Sequence, residues 1–360
     1  MVAELKHYAV NWQGGMKVSY HHFIALEDFI AANLQNVNTM HLNSGNFGLL
    51  PAEQESHSPL EWQCELIAGN QIKVVVSSCR VVTAGGIHIE RCDNENAVSG
   101  LGWIDCVYPL KDEPEKSLDV IIGIDPDHRM EIGEPDPKEE PVRRPFTKPK
   151  VTVAVRAVGE PVRQLTELKI GEIVVDKGKI EKSADYIPPC ATMSCYLPLL
   201  KKYELCKEYL LKIEDGVVSE TQLLKTKFAS EAFLHENLKY LSDCMANFLA
   251  GSVEKYNRIL PESSPLYFVE YFASFAHVVD TALRCMDNEM KNYLLNTFIQ
   301  TIHGFTIANF LDALTKMQNL QYDHQKTMNS IAVIENFLKE MARLFDALPK
   351  LQGFYIEPNL

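Results

Sequence analysis

The sequence lacks an excess of positive charge. It has 35 lysines and arginines against 48 aspartates and glutamates, a formal net charge of −13 at pH 7. Because binding to phosphate backbones needs a concentrated basic surface, this balance argues against nucleic acid as a partner. No apolar run approaches the roughly 20 residues that a membrane-spanning helix needs, and the first twenty residues hold no apolar stretch typical of a secretory signal. These absences predict a cytoplasmic protein without direct membrane insertion.

The sequence also lacks the spacings that mark metal sites. Its nine cysteines are irregularly placed, and no pair has the C-x-x-C separation of a zinc knuckle or redox centre. His21, His22 and His41 form a poor ligand set, because adjacent side chains on a helix point about 100° apart. Cys190 and Cys195 lie beside a Pro-Pro pair without an evident histidine partner, which favours small buried residues over nucleophiles. The sequence therefore predicts no metal site and no cofactor.

Local motifs of common enzymes are absent too. There is no G-x-G-x-x-G, Walker lysine motif, G-x-S-x-G or H-E-x-x-H. Asp323 and His324, which follow Tyr322 and precede a helical pattern, are a candidate acid/base pair. Asp323 is also a suitable helix N-cap that would leave His324 in the first turn, and this capping interpretation is favoured. The sequence predicts a protein that is not an enzyme and has no catalytic residue.

What the chain does have is the composition of a folded globular protein. Apolar residues make up 46% and charged residues 23% of its 360 residues, enough for two or three domains. A helix is predicted over Ser19 to Val37 because apolar residues recur on one helical face and Ser19 is a suitable N-cap. The residues of that face are Phe23, Leu26, Ile30 and Leu34.

Short runs rich in valine and isoleucine predict strands between about residues 60 and 182. They are 72–76, 86–89, 118–124, 151–158 and 172–175. Residues 176–179 predict a hairpin turn in which Gly178 supplies a positive φ. Because long helices do not alternate with these strands, an antiparallel β-sandwich over residues 19–187 is favoured over a parallel sheet.

One segment interrupts the strand pattern. Residues 125–150 contain six prolines among charged residues. Proline disfavours helix interiors and central strands, so an extended excursion on the surface is predicted. Two interpretations stay open here: a mobile loop, or an arm that orders against a neighbouring subunit.

From Pro188 onward the pattern becomes helical. Apolar residues recur three and four apart over 234–248, 269–290 and 331–348, as they do along the seam of a heptad pattern. A further helix is predicted over about Tyr293 to Met317. Together these predict an antiparallel helical bundle over residues 188–350 and a short tail over 351–360. The stripes serve either as the bundle's own core or, in part, for self-association. The predicted fold class is α+β with several domains.

Five residues near the start form a motif: Trp12, Gly15, Met16, His22 and Phe23. They resemble the opening signature of the TssK family, which is a Trp, then Gly-Met or Gly-Leu, then a Pro-Gln-His-Phe-like element. Tyr20 and His21 stand where that signature has Pro-Gln.

Three later segments extend the resemblance. Residues 185–190, which include Pro188 and Pro189, are similar to the family's junction between shell and neck, and they lie where strands give way to helices. Residues 264–267 resemble a Pro-x-x-Tyr region, and Tyr322 with His324 resembles a Tyr-x-His element. The matches run in the family's order from Val10 to about Leu348.

The resemblance implies a non-enzymatic baseplate subunit of a type VI secretion system, a contractile, phage-tail-like injection machine. It implies a homotrimer with an N-terminal segment over 1–18 near the neck, a shell over 19–187 and a helical neck over 188–350. The shell would attach to a wedge of TssF-like and TssG-like proteins near the inner membrane, with only indirect contact to the membrane complex. About a dozen residues follow Leu348, so we expect no C-terminal head. The motif residues are then assembly residues: Trp12, Gly15, Met16, His22, Phe23, Pro188, Pro189, Tyr322 and His324.

A second function stays open. A β shell on a helical trimer also suits a phage-type receptor-binding or carbohydrate-binding adaptor. A surface aromatic groove with affinity for glycans would favour that alternative.

Overall fold

The computed structural model describes residues 7–52, 58–91, 104–110, 116–176, 178–226, 228–229, 232–350 and 355–356. The chain forms two compact units, Met1–Pro189 and Cys190–Leu360. The first is built around antiparallel sheets and the second is mainly helical. The coarse prediction of an N-terminal β region followed by a helical region is therefore confirmed.

The first unit begins with a helix, and strands follow. Its elements are α1 (Tyr20–His41), β1 (Gly48–Leu49), β2 (Leu60–Ile67), β3 (Gln71–Val82), β4 (His88–Arg91), β5 (Ile104–Pro109), β6 (Ser117–Ile132), β7 (Phe146–Ala157), β8 (Glu167–Asp176) and β9 (Lys179–Lys182). In one sheet β1, β2, β4 and β5 all pair with β3. The other sheet has the order β7-β6-β8-β9. Every one of these pairings is antiparallel, and short turns join the strands of three of them, β2 with β3, β3 with β4 and β8 with β9.

Alternating apolar residues give these strands their buried face. Ile72, Val74 and Val76 of β3 are fully buried, while Lys73 and Val75 between them are partly exposed. Trp62 of β2 lies so close to the backbone of Gly171 in β8 that a Cβ there would be 2.3 Å from the indole ring. The Lys182 ammonium lies 4.8 Å from the centre of the same ring. Core packing therefore depends on a glycine opposite the tryptophan.

The hairpin between β8 and β9 agrees with the sequence. Asp176 pairs with Lys179, and Gly178 has a φ of 78°. A left-handed backbone at this point suits glycine, which has no Cβ to clash. The predicted turn is confirmed, except that Lys177 lies outside the described residues.

Residues 125–150, predicted as an extended excursion on the surface, continue two strands at their ends. Strand β6 continues to Ile132, and β7 begins at Phe146. Strand β6 pairs with β8 only as far as Gly123, but it pairs with β7 as far as Ile132. Pro149 lies within β7, which is an edge strand. Proline is tolerated in an edge strand because a backbone nitrogen on the outer side has no neighbouring strand to bond. Within residues 125–150, the segment that forms neither helix nor strand is 133–145. The excursion is thus a two-stranded β arm with an irregular tip.

The second unit contains helices α2 (Leu197–Thr226), α3 (Ala232–Glu254), α4 (Pro265–Cys285), α5 (Asn288–Thr301), α6 (Ile307–Gln318) and α7 (Thr327–Ala347). A π-helical turn over Lys255–Ile259 follows α3. Strand β10 (Phe228–Ala229) pairs with β11 (Tyr355–Ile356). Of the short C-terminal tail, the structure describes only these last two residues between 351 and 360.

Three details of the helical prediction were wrong. The stripe assigned to 269–290 is divided at Asp287, which caps α5, so Met290 belongs to the next helix. The helix expected over 293–317 is two helices, separated where Gly304 has a φ of 75° and Thr306 caps α6. Asp323 does not cap α7, which begins only at Thr327. Its carboxylate instead accepts a hydrogen bond from the Gln325 N–H in the preceding turn, at 3.0 Å.

The heptad-like stripes fill the interior of this unit. Their buried members are Leu234, Leu238, Leu241, Met245, Val269, Phe272, Ala276, Val279, Leu283, Ile331, Ile334, Leu338, Met341, Phe345 and Leu348. The interpretation as the unit's own core is therefore the correct one for these residues.

Candidate assembly interface

The first turn of α1 is fixed by two residues of the N-terminal motif region. Ser19 precedes the helix with an extended backbone, and its N–H donates to Nδ1 of His22 at 3.1 Å. The His22 N–H donates in turn to the Ser19 carbonyl at 3.1 Å. The bond from the Ser19 N–H to the His22 side chain is one half of a capping box, with histidine at the position that Glu or Gln usually holds. The predicted N-cap is confirmed, and His22 has a defined structural contact.

The other motif residues gather against this turn. Gly15 has a φ of 81°, and the Met16 N–H donates to the Gln13 carbonyl at 3.2 Å, which reverses the chain. Trp12 is thereby brought back over α1, with its ring 5.9 Å from His22 and 6.5 Å from Phe23. The five motif residues are thus one local structure, although nothing in their spacing alone required it.

Helix α1 carries an exposed apolar stripe. Among its 22 residues none is buried. Phe23, Ile30, Leu34 and Val37 recur on one helical face and are between 48% and 61% exposed. Leucine and isoleucine are common on protein surfaces singly, but a contiguous row of this length marks an interaction surface. We call these four residues the α1 stripe.

Polar contacts hold α1 on its own unit. The Gln35 side-chain amide donates to the Gly85 carbonyl at 2.7 Å, and the Asn38 amide donates to the Gly86 carbonyl at 3.0 Å. Near the start of the helix, Arg129 on the β arm forms ion pairs with Glu27 and with Asp28. The helix is therefore anchored by hydrogen bonds and ion pairs while its apolar stripe faces away from a core.

Pro188 and Pro189 are buried at the end of the first unit. The Leu49 N–H donates to the Pro189 carbonyl at 2.8 Å. A Cβ on Gly48, whose φ is 110°, would lie 2.1 Å from that carbonyl oxygen. The chain leaving the unit is thus fastened against β1, and Gly48 is needed for that approach. Sequence inspection missed Gly48, since the contact is between residues more than a hundred positions apart.

Tyr322 and His324 lie in the second unit and contact each other. The Tyr322 hydroxyl is 2.6 Å from Nδ1 of His324 and 3.1 Å from Oγ1 of Thr327. His324 is buried, and burial raises the pKa of Tyr322, so the phenol stays protonated. The two residues hold the turn before α7 together. The structure gives them a local contact and leaves a role in assembly as a prediction.

Within the described ranges, no group of three or more His, Cys, Asp or Glu is arranged to hold a metal ion. No helix in those ranges is both long and apolar enough to cross a bilayer.

No protein-family model matches the sequence, and none of the curated proteins matches it. Solved structures do. A crystal structure of TssK aligns with 93% of this chain and 69% of its own length, at 11% identity and a TM-score of 0.54. The baseplate complex from the type VI secretion system contains a chain that aligns over 94% of this chain and 99% of that one, at 14% identity and a TM-score of 0.53.

A third structure, the TssK-TssF-TssG baseplate subcomplex of the type VI secretion system, aligns with 95% of this chain and all of its counterpart, at 14% identity and a TM-score of 0.48. At such low identity, structural likeness speaks to the fold and leaves function to be argued from the residues. The crystal structure and the baseplate complex, both above a TM-score of 0.5, therefore show that this chain has the fold of TssK.

Proposed function

We propose that this chain is a structural baseplate subunit of a type VI secretion system. It assembles as a homotrimer, attaches to a wedge of TssF-like and TssG-like proteins, and catalyses no reaction. Its place is the cytoplasm beside the inner membrane, with contact to the membrane complex through other proteins. The sequence motifs and the TssK fold support this function together.

The observation that carries the proposal is the α1 stripe. A helix of 22 residues with no buried side chain needs a partner to shield its apolar face. Fully burying an exposed Leu, Ile, Val or Phe side chain contributes about 1.5–3 kcal/mol. Because the four stripe side chains are 48% to 61% exposed in the single chain, shielding them on each copy contributes roughly half of that for each side chain and favours association.

A second copy of the same chain is the partner that the stripe fits. Phe23, Ile30 and Val37 are seven residues apart, and Leu34 follows Ile30 by four, which is the spacing of a coiled-coil seam. Rotational symmetry brings the same stripe of each copy to one axis, so an apolar row meets apolar rows. The heptad-like stripes of the second unit are already buried within the chain, so α1 is the better candidate for the trimer axis.

We extend the proposal to the domains. Residues 19–187 form the shell, with the two sheets packed as a β-sandwich, and residues 188–350 form the neck as an antiparallel helical bundle. Residues 1–18 pack near the neck, and residues 351–360 are a short tail. Contact of Trp62 in one sheet with Gly171 in the other supports the sandwich. The β arm is suited to a subunit contact, because its end extends beyond the four-stranded part of the sheet.

The oligomeric state is the first test. Light scattering after size exclusion should give about three times the chain mass of 40.8 kDa. Leu34→Asp should yield a folded monomer, because the side chain is 61% exposed in the single chain. Val158→Asp is the matched control, since Val158 is 55% exposed outside α1 and should leave the trimer intact.

Capture of the wedge is the second test. The full-length trimer should retain TssF-like and TssG-like proteins from the same genome on an affinity column. A monomeric native chain would refute the trimer. A trimer that captures neither protein but binds a glycan array would favour the receptor-binding or carbohydrate-binding adaptor instead.

A further inference from the structure

A lysine and two carboxylates meet on the sheet formed by β6 to β9. Nζ of Lys169 in β8 lies 2.5 Å from Oδ1 of Asp119 in β6 and 3.0 Å from Oε2 of Glu172 in β8. The side chains of Asp119 and Lys169 are only 8% and 14% exposed. Lysine and aspartate are seldom so deeply buried together, since both lose hydration.

A β-bulge brings the three groups together. On a regular strand, residues three apart point to opposite faces of the sheet. Without a bulge, Lys169 and Glu172 would therefore point to opposite faces. The register of β8 against β6 shifts between Val120 and Ile121. Val120 pairs with Gly171 and Ile121 pairs with Lys169, so Ile170 has no residue opposite it on β6. The extra residue turns Lys169 and Glu172 to the same face as Asp119. Bulges often re-aim side chains in this way at reactive sites.

Lys169 approaches Asp119 more closely than in an ordinary hydrogen bond. Nζ lies 2.5 Å from Oδ1 of Asp119, against about 2.7–3.2 Å for a typical N–H···O contact. The Tyr186 ring covers the amine at 4.2 Å from its centre, and the Tyr186 hydroxyl donates to the Lys169 carbonyl at 3.1 Å. The nitrogen is thus held against the carboxyl group and screened on one side from water.

We propose that Lys169 and Asp119 condense to an intramolecular isopeptide bond with Glu172 as the proton-transfer residue. A proton first passes from the ammonium to the Asp119 carboxylate. The neutral amine then attacks Cγ of Asp119, the Nζ–Cγ bond forms, and a C–O bond breaks. Glu172 takes a second proton from Nζ and delivers it to the departing hydroxyl. Ammonium and carboxylate become an amide and one water, and no oxidant or other reactant is needed.

Three features of the site favour this condensation. Fixed contact between nucleophile and carbonyl removes the entropic cost of bringing them together. Replacing a buried ion pair with a neutral amide removes two poorly hydrated charges. Burial also raises the pKa of Asp119, which favours the protonated carboxyl that can lose water. Glu172, in contact with Nζ, is placed for acid and base transfer.

Intact mass spectrometry of the denatured full-length protein tests the proposal. The measured mass should be lower than the sequence mass by one water, about 18 Da. Tryptic digestion should give a branched product that joins the peptides containing Asp119 and Lys169. Asp119→Ala, Lys169→Arg and Glu172→Gln should each restore the full mass. Glu181→Gln, a control on the neighbouring strand β9, should keep the deficit.

The wild-type chain alone is decisive, whatever the variants do to folding. A full sequence mass after several days at neutral pH would overturn the proposal and leave the group as an ion pair. A deficit mapped to other residues would overturn it as well. A deficit that survives Glu172→Gln would refute the role of Glu172. None of these outcomes depends on oligomeric state or on wedge binding, so the function proposed above is tested separately.

Discussion

Tyr203 and Tyr256 each donate a hydrogen bond from the side-chain hydroxyl to the other's backbone carbonyl. The distances are 2.6 Å and 3.0 Å, and the two rings stack with centroids 4.8 Å apart. Tyr203 lies on α2 and Tyr256 in the π-helical turn after α3, and both are almost fully buried. Four polar groups thus satisfy one another where water is excluded, and the two helical segments are held in one register.

Removing either hydroxyl should destabilise the fold. Tyr203→Phe and Tyr256→Phe each remove one buried hydrogen bond, which costs about 0.5–1.5 kcal/mol. The double variant should lose less than the sum, because the rings can shift once the first bond is lost. Urea unfolding measures the free energy of unfolding of the two single variants and of the double variant. Tyr267→Phe, at an exposed tyrosine, should change stability by less than about 0.5 kcal/mol. Equally small effects at the buried pair would contradict the reciprocal lock.

Stability should fall at alkaline pH. Burial raises the pKa of the Cys206 thiol from 9.0 to about 12, and burial also raises the pKa of Tyr203 and of Tyr256. A raised folded-state pKa means that the neutral form is favoured in the fold. The contribution of the buried Cys206 thiol to the free energy of unfolding is therefore complete below the unfolded pKa of 9.0 and is lost as pH rises toward 12. Urea midpoints should decline above about pH 9.

A variant separates the thiol's share of that decline. Cys206→Ala should lower the midpoint at neutral pH, because it leaves a cavity, and should make the curve flatter between about pH 9 and about pH 10. The buried tyrosines and the thiols of Cys106 and Cys190, whose pKa values burial also raises, account for the remaining slope. A wild-type midpoint that stays constant over this range would contradict the burial of these groups.

Two glycines in helices should respond to alanine with opposite signs. A Cβ on Gly216 of α2 would lie 2.3 Å from the Phe345 carbonyl oxygen of α7, whereas one on Gly251 of α3 meets nothing within 4 Å. Gly216→Ala should destabilise by about 1–3 kcal/mol, because the two helices must separate. Gly251→Ala should stabilise by about 0.5–1 kcal/mol through helix propensity. Thermal unfolding compares the stability of the two variants with that of the wild-type chain. Stabilisation by both substitutions would refute the close contact of α2 with α7.

This contact shows which parts of the fold could be predicted. The five predicted strand runs and four of the helices, α1, α3, α4 and α7, follow from local periodicity, which a single sequence displays. Helix α2 displays it too, since Leu199, Tyr203, Cys206 and Leu210 recur three and four apart, so its omission was avoidable. The close approach at Gly216 was not accessible, because it depends on a residue more than a hundred positions away.

The candidate interface divides in the same way. The motif from Trp12 to Phe23 and the apolar face of α1 were visible in the sequence, but periodicity alone indicates a buried face. Only the structure reveals that Phe23 and Leu34 stay exposed. The bulge that turns Lys169 toward Asp119 is likewise a matter of strand register, which tertiary packing decides. Proline content excluded a central strand over the β arm but did not reveal its strand pairing, because an edge position makes Pro149 acceptable.

His22 should matter for assembly through the helix start that it caps. Its Nδ1 accepts the Ser19 N–H, and its ring lies against Trp12, which sits beside the first residue of the α1 stripe. His22→Ala removes the acceptor and should cost about 0.5–2 kcal/mol of helix stability, which weakens the trimer measured by light scattering at decreasing concentration. His22→Gln should restore it, because glutamine at this position completes the same capping box. The exposed neighbour provides the control: His21→Ala should leave the trimer unchanged. A trimer equally weakened by His22→Ala and His22→Gln would show that the imidazole contacts a partner directly, and that capping is not the reason His22 is needed.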